Sequence, residues 1–148
     1  MQIQFFFEGV HITLAERNRL KSFLIDLFKK GKTPLCHLTY IFCTDEYLLN
    51  INKQFLQHDY YTDIITFNLA PDGQPIEGEI YISIDRVMEN AKAEGVARKE
   101  ELHRVIFHGA LHLLGYGDKN KDEQMAMRKA ENKCLKAYFD VPRIPVSK

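Results

Sequence analysis

Hydrophobic residues change their period along this chain, and each change marks an element. "IQFFFE" near the start alternates poorly, but its aromatic and β-branched content predicts a strand. Behind it Leu20, Phe23, Leu24, Leu27 and Phe28 recur at helical spacing, and Gly31 supplies a stop. Thr13 and Glu16 have the spacing of a capping box for that helix. "CHLTYIFC" predicts a second strand, followed by Thr44 as the N-cap of a helix through Leu48, Ile51 and Phe55. "DIITFNL" reads as a third strand, "PDGQP" as a turn, and "GEIYIS" as a fourth strand with Ile80 and Ile82 on one side.

From Asp85 onward the period is helical: a segment ending at Gly95, then 98–114, then about 122–139. Pro142 and Pro145 mark a loose tail over 140–148. No internal repeat, low-complexity tract or linker interrupts the chain. The elements sum to a single α+β domain over 1–148, with a small four-stranded sheet against about five helices. The 98–114 helix carries Leu102, Val105, Ile106, Leu111, Leu113 and Leu114, apolar nearly all round, so it belongs at the centre.

Composition narrows the picture without fixing a function. With 148 residues, 45% hydrophobic and 27% charged, the chain has the size and balance of one soluble domain. Lys plus Arg equals Asp plus Glu, 20 against 20, so bulk charge gives no support for a nucleic-acid partner, although a balanced total can hide a basic patch. No stretch approaches the roughly 18 apolar residues of a membrane helix, and the N-terminus lacks the basic segment of a signal peptide. Cys36, Cys43 and Cys134 are odd in number and show no CxxC spacing. The expected setting is a reducing cytoplasm.

One stretch breaks the logic of a core helix: "VIFHGALHLLGYGDKNKDE", residues 105–123. His108 and His112, four apart, project from one helix face and can grip one ion. Gly115 can adopt the left-handed conformation that ends a helix, and "YGD" can then bring Asp118 to the same ion. Two nitrogens and a carboxylate oxygen suit Zn²⁺ or another borderline divalent ion, with a position left for water. Gly109 costs about 1 kcal/mol relative to Ala in a helix, which fits a backbone that something approaches closely. Taken alone, the two histidines read equally well as hydrogen-bonded core residues, and Asp118 as a solvated turn residue or helix cap, with Asp122 a rival cap.

The outline HxxxHxxGxxD resembles the zinc signature of the metzincin peptidases, and the fold expected is one with a metzincin-like zinc-site helix at its centre. Those enzymes carry a Glu directly after the first His as general base; here that position is Gly109. "HGALHLLGYGD" is more similar to the YbeY family of metal-dependent endoribonucleases, whose motif reads HGxLHLxGYDH. "TDIITF" (62–67) resembles that family's TDVLSF strand, and "GEIYIS" (78–83) its GDIxIS strand. The resemblance runs from about Ile51 to the helix containing Glu131.

The resemblance implies a mixed sheet and a single-strand-specific endoribonuclease acting in rRNA maturation, at the 16S rRNA 3′ end, and in ribosome quality control. One zinc ion per chain would be held by His108, His112 and Asp118, and would activate water toward an RNA phosphodiester. The family's third histidine falls on Asp118, and the Asp before it on Gly117. A substrate-facing Arg of the family aligns with Leu56, and His58 and Lys53 are the nearest groups to compensate. Asp63 and Thr66 are catalytic or substrate-facing candidates, although a strand-turn cap and a simple β residue describe them equally well. Tyr60, Tyr61 and Tyr116 are candidates to stack bases. Lys29, Lys30, Lys32, Arg86, Lys92, Arg98, Lys99 and Arg104 are candidates for phosphate contact, and His11, His37 and His103 are read as unremarkable. The expected partners are RNA and the small ribosomal subunit, with no membrane and no DNA. The competing readings are a metzincin-like peptidase and a non-catalytic ribosome-assembly factor with a structural metal.

Overall fold

The computed structural model describes residues 2–58 and 61–140. Tyr60 and the tail 141–148 lie outside them. The elements come in the order β1 (Ile3–Glu8), α1 (Arg17–Lys30), β2 (Leu35–Cys43), α2 (Asp45–Ile51), a π-helical turn (Asn52–Leu56), β3 (Ile64–Asn68), β4 (Ile76–Ser83), α3 (Ile84–Glu94), α4 (Arg98–Leu113) and α5 (Lys121–Phe139). The sheet order is β1-β2-β4-β3. β1, β2 and β4 run parallel, and β3 is the antiparallel edge. Four strands with five α-helices is the architecture the period changes predict, and the sheet is mixed, as the resemblance implies. No helix of the described residues is long and apolar enough to cross a membrane.

Register explains where the central helix sits. Leu38, Tyr40 and Phe42 of β2 pair with Gly78, Ile80 and Ile82 of β4, so their side chains share one face. Ile64 and Thr66 of β3 pair with Ile82 and Ile80 and join that face. Ile106, Phe107, Ala110 and Leu111 of α4 are buried in the same core. Tyr40 Oη donates to the Ile106 carbonyl at 2.8 Å, tying strand to helix. On the opposite face Cys43, Leu48 and Ile65 form a smaller core beneath α2.

Two glycines set the helix-to-sheet distance. A Cβ on Gly109 would stand 2.8 and 2.9 Å from Ile80 and 3.1 Å from Ile64, and one on Gly78 would meet Leu113 and Leu38 at 2.7 Å. The close approach expected at Gly109 is therefore that of the sheet itself.

The helix ends bring corrections. Thr44 caps α2 as expected, its hydroxyl accepting from Tyr47 N–H at 3.1 Å. The capping box at Thr13 and Glu16 does not form: α1 starts at Arg17, Glu16 is left-handed (φ 53), and no side chain caps the helix. The Glu16 carboxylate turns to Arg19 at 3.5 Å instead. Gly31 ends α1 in ordinary αR geometry, and the positive φ falls on Lys32. Gly31 is small for another reason, because a Cβ there would meet Leu114 at 2.9 Å. α5 is capped by Asn120, whose Oδ1 accepts from Glu123 N–H at 2.8 Å, and by neither Asp118 nor Asp122.

Candidate active site

α4 carries His108 and His112 on one face, and ends where Gly115 takes φ 109. That angle is costly for any residue with a Cβ, so the chain can reverse here and lead Asp118 back beside the helix. Asp118 Oδ2 lies 3.8 Å from His108 Nε2. His108, His112 and Asp118 all line one cleft of about 230 Å³, together with Leu56, His58 and Thr66. Thr62, Ile64, His108 and Asp118 also line an adjoining cleft of about 390 Å³ that contains Asp63. Among the described residues no three His, Cys, Asp or Glu side chains stand close enough to hold a metal ion as they are. His112 is exposed and the Asp118 side chain half-exposed, so both have room to turn inward.

The residue that sequence reasoning passed over is Glu131. Its Oε2 lies 2.6 Å from His108 Nδ1, and its Oε1 accepts from Arg104 at 3.0 Å. An ionised carboxylate only accepts, so Nδ1 carries the proton and, in the neutral ring, Nε2 keeps its lone pair toward the cleft. Burial pulls the His108 imidazole down, but the hydrogen bond and charge of Glu131 outweigh it and hold the group above its ordinary range. Burial pushes Glu131 up, and the hydrogen bonds from His108 and Arg104 reverse that, leaving it below the usual carboxylate range. The signal was present in α5, where Met127, Cys134, Leu135 and Tyr138 form the buried stripe and Glu131 stands in it.

Other candidates divide. Asp63 is desolvated, which raises its carboxyl against the pull of His108, and it also takes the N–H of Ile64, so it caps the strand entry while facing the cleft. Tyr116 is not brought to the clefts; it lines a groove between α1 and α5 with Leu27, Lys30 and Lys133. Arg104 is no open phosphate contact, because Glu131 and Asn132 hold it in a mostly buried position. Arg86 is paired with Asp45, with Tyr61 against its guanidinium. None of Lys29, Lys30, Lys32, Lys92, Arg98 and Lys99 lines either cleft; among the described residues Arg104 and the unforeseen Arg128 are the lysines or arginines that do. His11 and His37 need no role, and His103 is buried, with Nδ1 2.8 Å from the Lys99 carbonyl.

The family model for endoribonuclease YbeY matches residues 8–139. The chain belongs to the YbeY family. Curated YbeY relatives include those of Cytophaga hutchinsonii, 49% identical over 90% of this chain and 93% of its own length, and Porphyromonas gingivalis, 41% identical over 90% and 88%. The solution structure of a Thermotoga maritima protein is similar at a TM-score of 0.62 and 29% identity, covering 93% of this chain and 89% of that one. Within the YbeY fold the two clefts meet at His108 on α4.

Proposed function

We propose that this chain is a metal-dependent endoribonuclease, a hydrolase that cuts phosphodiester bonds in single-stranded RNA during rRNA maturation. Family membership across residues 8–139 supports the endoribonuclease activity, and curated relatives 41–49% identical to the chain bear the same name. The single structural observation that carries the reading is the 2.6 Å contact of Glu131 with His108, which keeps Nε2 available 3.8 Å from Asp118 in an open cleft. A carboxylate behind a histidine is the usual support of a metal-ligating imidazole.

The donor set fits a borderline divalent ion: two imidazole nitrogens and one carboxylate, with Zn²⁺ the ion we assign. His108, His112 and Asp118 would hold it, and when bound it supplies Lewis acidity toward the phosphodiester and makes water more acidic. Glu131 orients His108 and fixes its tautomer. Asp63 and Thr66 line the floor on which the RNA backbone would lie, with His58 and Leu56 at its rim. The 16S rRNA 3′ end on the small ribosomal subunit, in the cytoplasm, is the substrate and setting we assign. We take residues 1–148 to act as one endoribonuclease domain.

Neither competing reading gains from the site. A peptidase of metzincin type needs a carboxylate where Gly109 is pressed onto Ile80. A structural metal does not require the open cleft beside His108 and Asp118.

The test is cleavage of single-stranded RNA by metal-replete protein, by His112→Ala and by chelated protein. Cleavage lost in both altered forms supports the proposal. Equal cleavage with and without chelator overturns it. Co-sedimentation of the variant with small ribosomal subunits tests the assigned partner separately.

A further inference from the structure

The larger of the two clefts holds a group that the phosphodiester chemistry does not use. Glu101, on the first turn of α4, is 4% exposed, and its Oε1 has no hydrogen-bond partner. The cleft it lines has a volume of about 390 Å³ and opens to His108 and Asp118. The two guanidiniums of that cleft are engaged elsewhere: Arg104 with Glu131 and Asn132, Arg128 with Glu94 and Glu131. Burial, and then the charge of Glu94, push the Glu101 carboxyl above its usual range. A buried acceptor left unpaired is costly, and the Glu101 side chain lies at the wall of a cavity rather than within packed core.

The shape and polarity of the cavity define what would satisfy it. Its volume lies within the roughly 300–1,000 Å³ of small-molecule sites. Val105, Met127 and Ile64 give it apolar walls, and Asn90 adds an amide. Five carboxylates line the same walls, Asp63, Glu94, Glu101, Asp118 and Glu131, and two of them are taken by the arginines; among the described residues no three ligating side chains stand close enough to hold a cation. A flat, neutral group with paired N–H donors suits both the walls and the carboxylate. Among RNA bases only guanine presents two adjacent donors, N1–H and the 2-amino group, that a carboxylate can accept side by side.

We propose that this cleft is a guanine subsite, in which Glu101 accepts from the N1–H and 2-amino group of an unstacked base next to the bond cut at His108. The inference rests on the endoribonuclease reading for its RNA, and adds to it a preference for one base. Single-stranded bases are open to recognition along this edge.

The experiment uses metal-replete protein and single-stranded oligoribonucleotides that differ at one position, guanosine, inosine or adenosine. Inosine keeps N1–H and lacks the 2-amino group, so the comparison needs no altered protein. Cuts should fall at a fixed distance from the guanosine, and kcat/KM should drop about tenfold or more with inosine. In Glu101→Gln the guanosine-to-inosine ratio should fall toward one. Equal cleavage of all three oligomers by the unaltered protein overturns the subsite while leaving the nuclease reading standing. So does an undiminished ratio in the variant.

Equilibrium binding of guanosine, inosine and adenosine monophosphates separates the two readings if no RNA is cut. Guanosine monophosphate binding about tenfold or more tighter than inosine monophosphate then upholds the subsite without the nuclease, and equal binding rejects it. Loss of one bound Mn²⁺ equivalent in Glu101→Gln, by dialysis, would reassign the cavity to a cation.

Discussion

His108 Nδ1 and Glu131 Oε2 stand 2.6 Å apart, within a side-chain environment where only 22% and 7% of the two groups is exposed. The contact joins two helices and fixes which ring nitrogen faces the cleft. Glu131→Gln should therefore weaken zinc binding by about 10–100-fold, the usual cost of losing a carboxylate behind a metal-ligating histidine. Competition against a chromogenic chelator measures it. Glu131→Ala also strands Arg104 in a mostly buried position, and a further loss of about 3 kcal/mol in unfolding free energy should appear. Unchanged zinc affinity in both variants would remove Glu131 from the site.

The same pair sets the pH dependence of the metal-free protein. His108 is held above its ordinary 6.5, so its contribution is complete below that pH and is lost as pH rises through the raised value. Glu131 is held below its ordinary 4.5, so its contribution is complete above that pH and is lost as pH falls through the lowered value. Chelated protein should thus gain most from the pair between pH 4.5 and 6.5. Thermal melts across pH 4 to about 9, compared with Glu131→Gln, isolate it: the difference between the two proteins should shrink on both sides of that window. A difference that keeps growing toward pH 9 contradicts the assignment.

Asp118 is the proposed third ligand beside His108 and His112. If it holds the ion, Asp118→Ala should lower zinc affinity by at least the roughly tenfold that losing an outer carboxylate costs. Asp118→His supplies the third imidazole of the HGxLHLxGYDH pattern and should bind zinc more tightly than the native chain. Isothermal titration distinguishes these. Alanine binding zinc as well as aspartate would mean that the carboxylate, half-exposed here, plays no part.

Features governed by local period and local chemistry were legible in the sequence. All four strands and the 98–114 helix were readable because alternation and helical spacing report burial directly. That His108, His112 and Asp118 come to one cleft was readable because their spacing is within one helix and its turn. Glu131 was not, since its partner is 23 residues away and nothing local says that α5 lays that position against α4. Arg104 was misjudged for the same reason, a charged helix residue whose partner lies 27 residues on. The failed cap at Glu16 shows a local pattern overruled by backbone geometry, since Glu16 itself takes the N-cap position in left-handed conformation and its carboxylate lies toward Arg19.

Gly109 was readable as a close approach, and the structure names what approaches. Alanine there would place its Cβ 2.8–3.1 Å from Ile80 and Ile64, and Ile80 is fully buried with nowhere to move. Overpacking of this kind costs about 1–3 kcal/mol, against about 1 kcal/mol gained in helix propensity. Gly109→Ala should lose up to about 2 kcal/mol net and melt a few degrees lower. Since the shift would tilt α4, zinc affinity should fall with it. A stabilised variant would show that the helix can lift from the sheet freely.

Leu56 lines the cleft with His112 and Asp118 from the π-helical turn, at the position where the sequence reading expects a substrate-facing Arg. At 39% exposure an arginine side chain can be accommodated there without disturbing the core. If the cleft carries the RNA backbone, Leu56→Arg adds one phosphate contact. Binding should tighten, and the plot of log affinity against log salt should steepen by about 0.7 for a single strand. Neither change is expected for Leu69→Arg, which is exposed and lies outside both clefts. Equal steepening in the two variants would mean the added charge acts at long range only, and that the backbone does not run past residue 56.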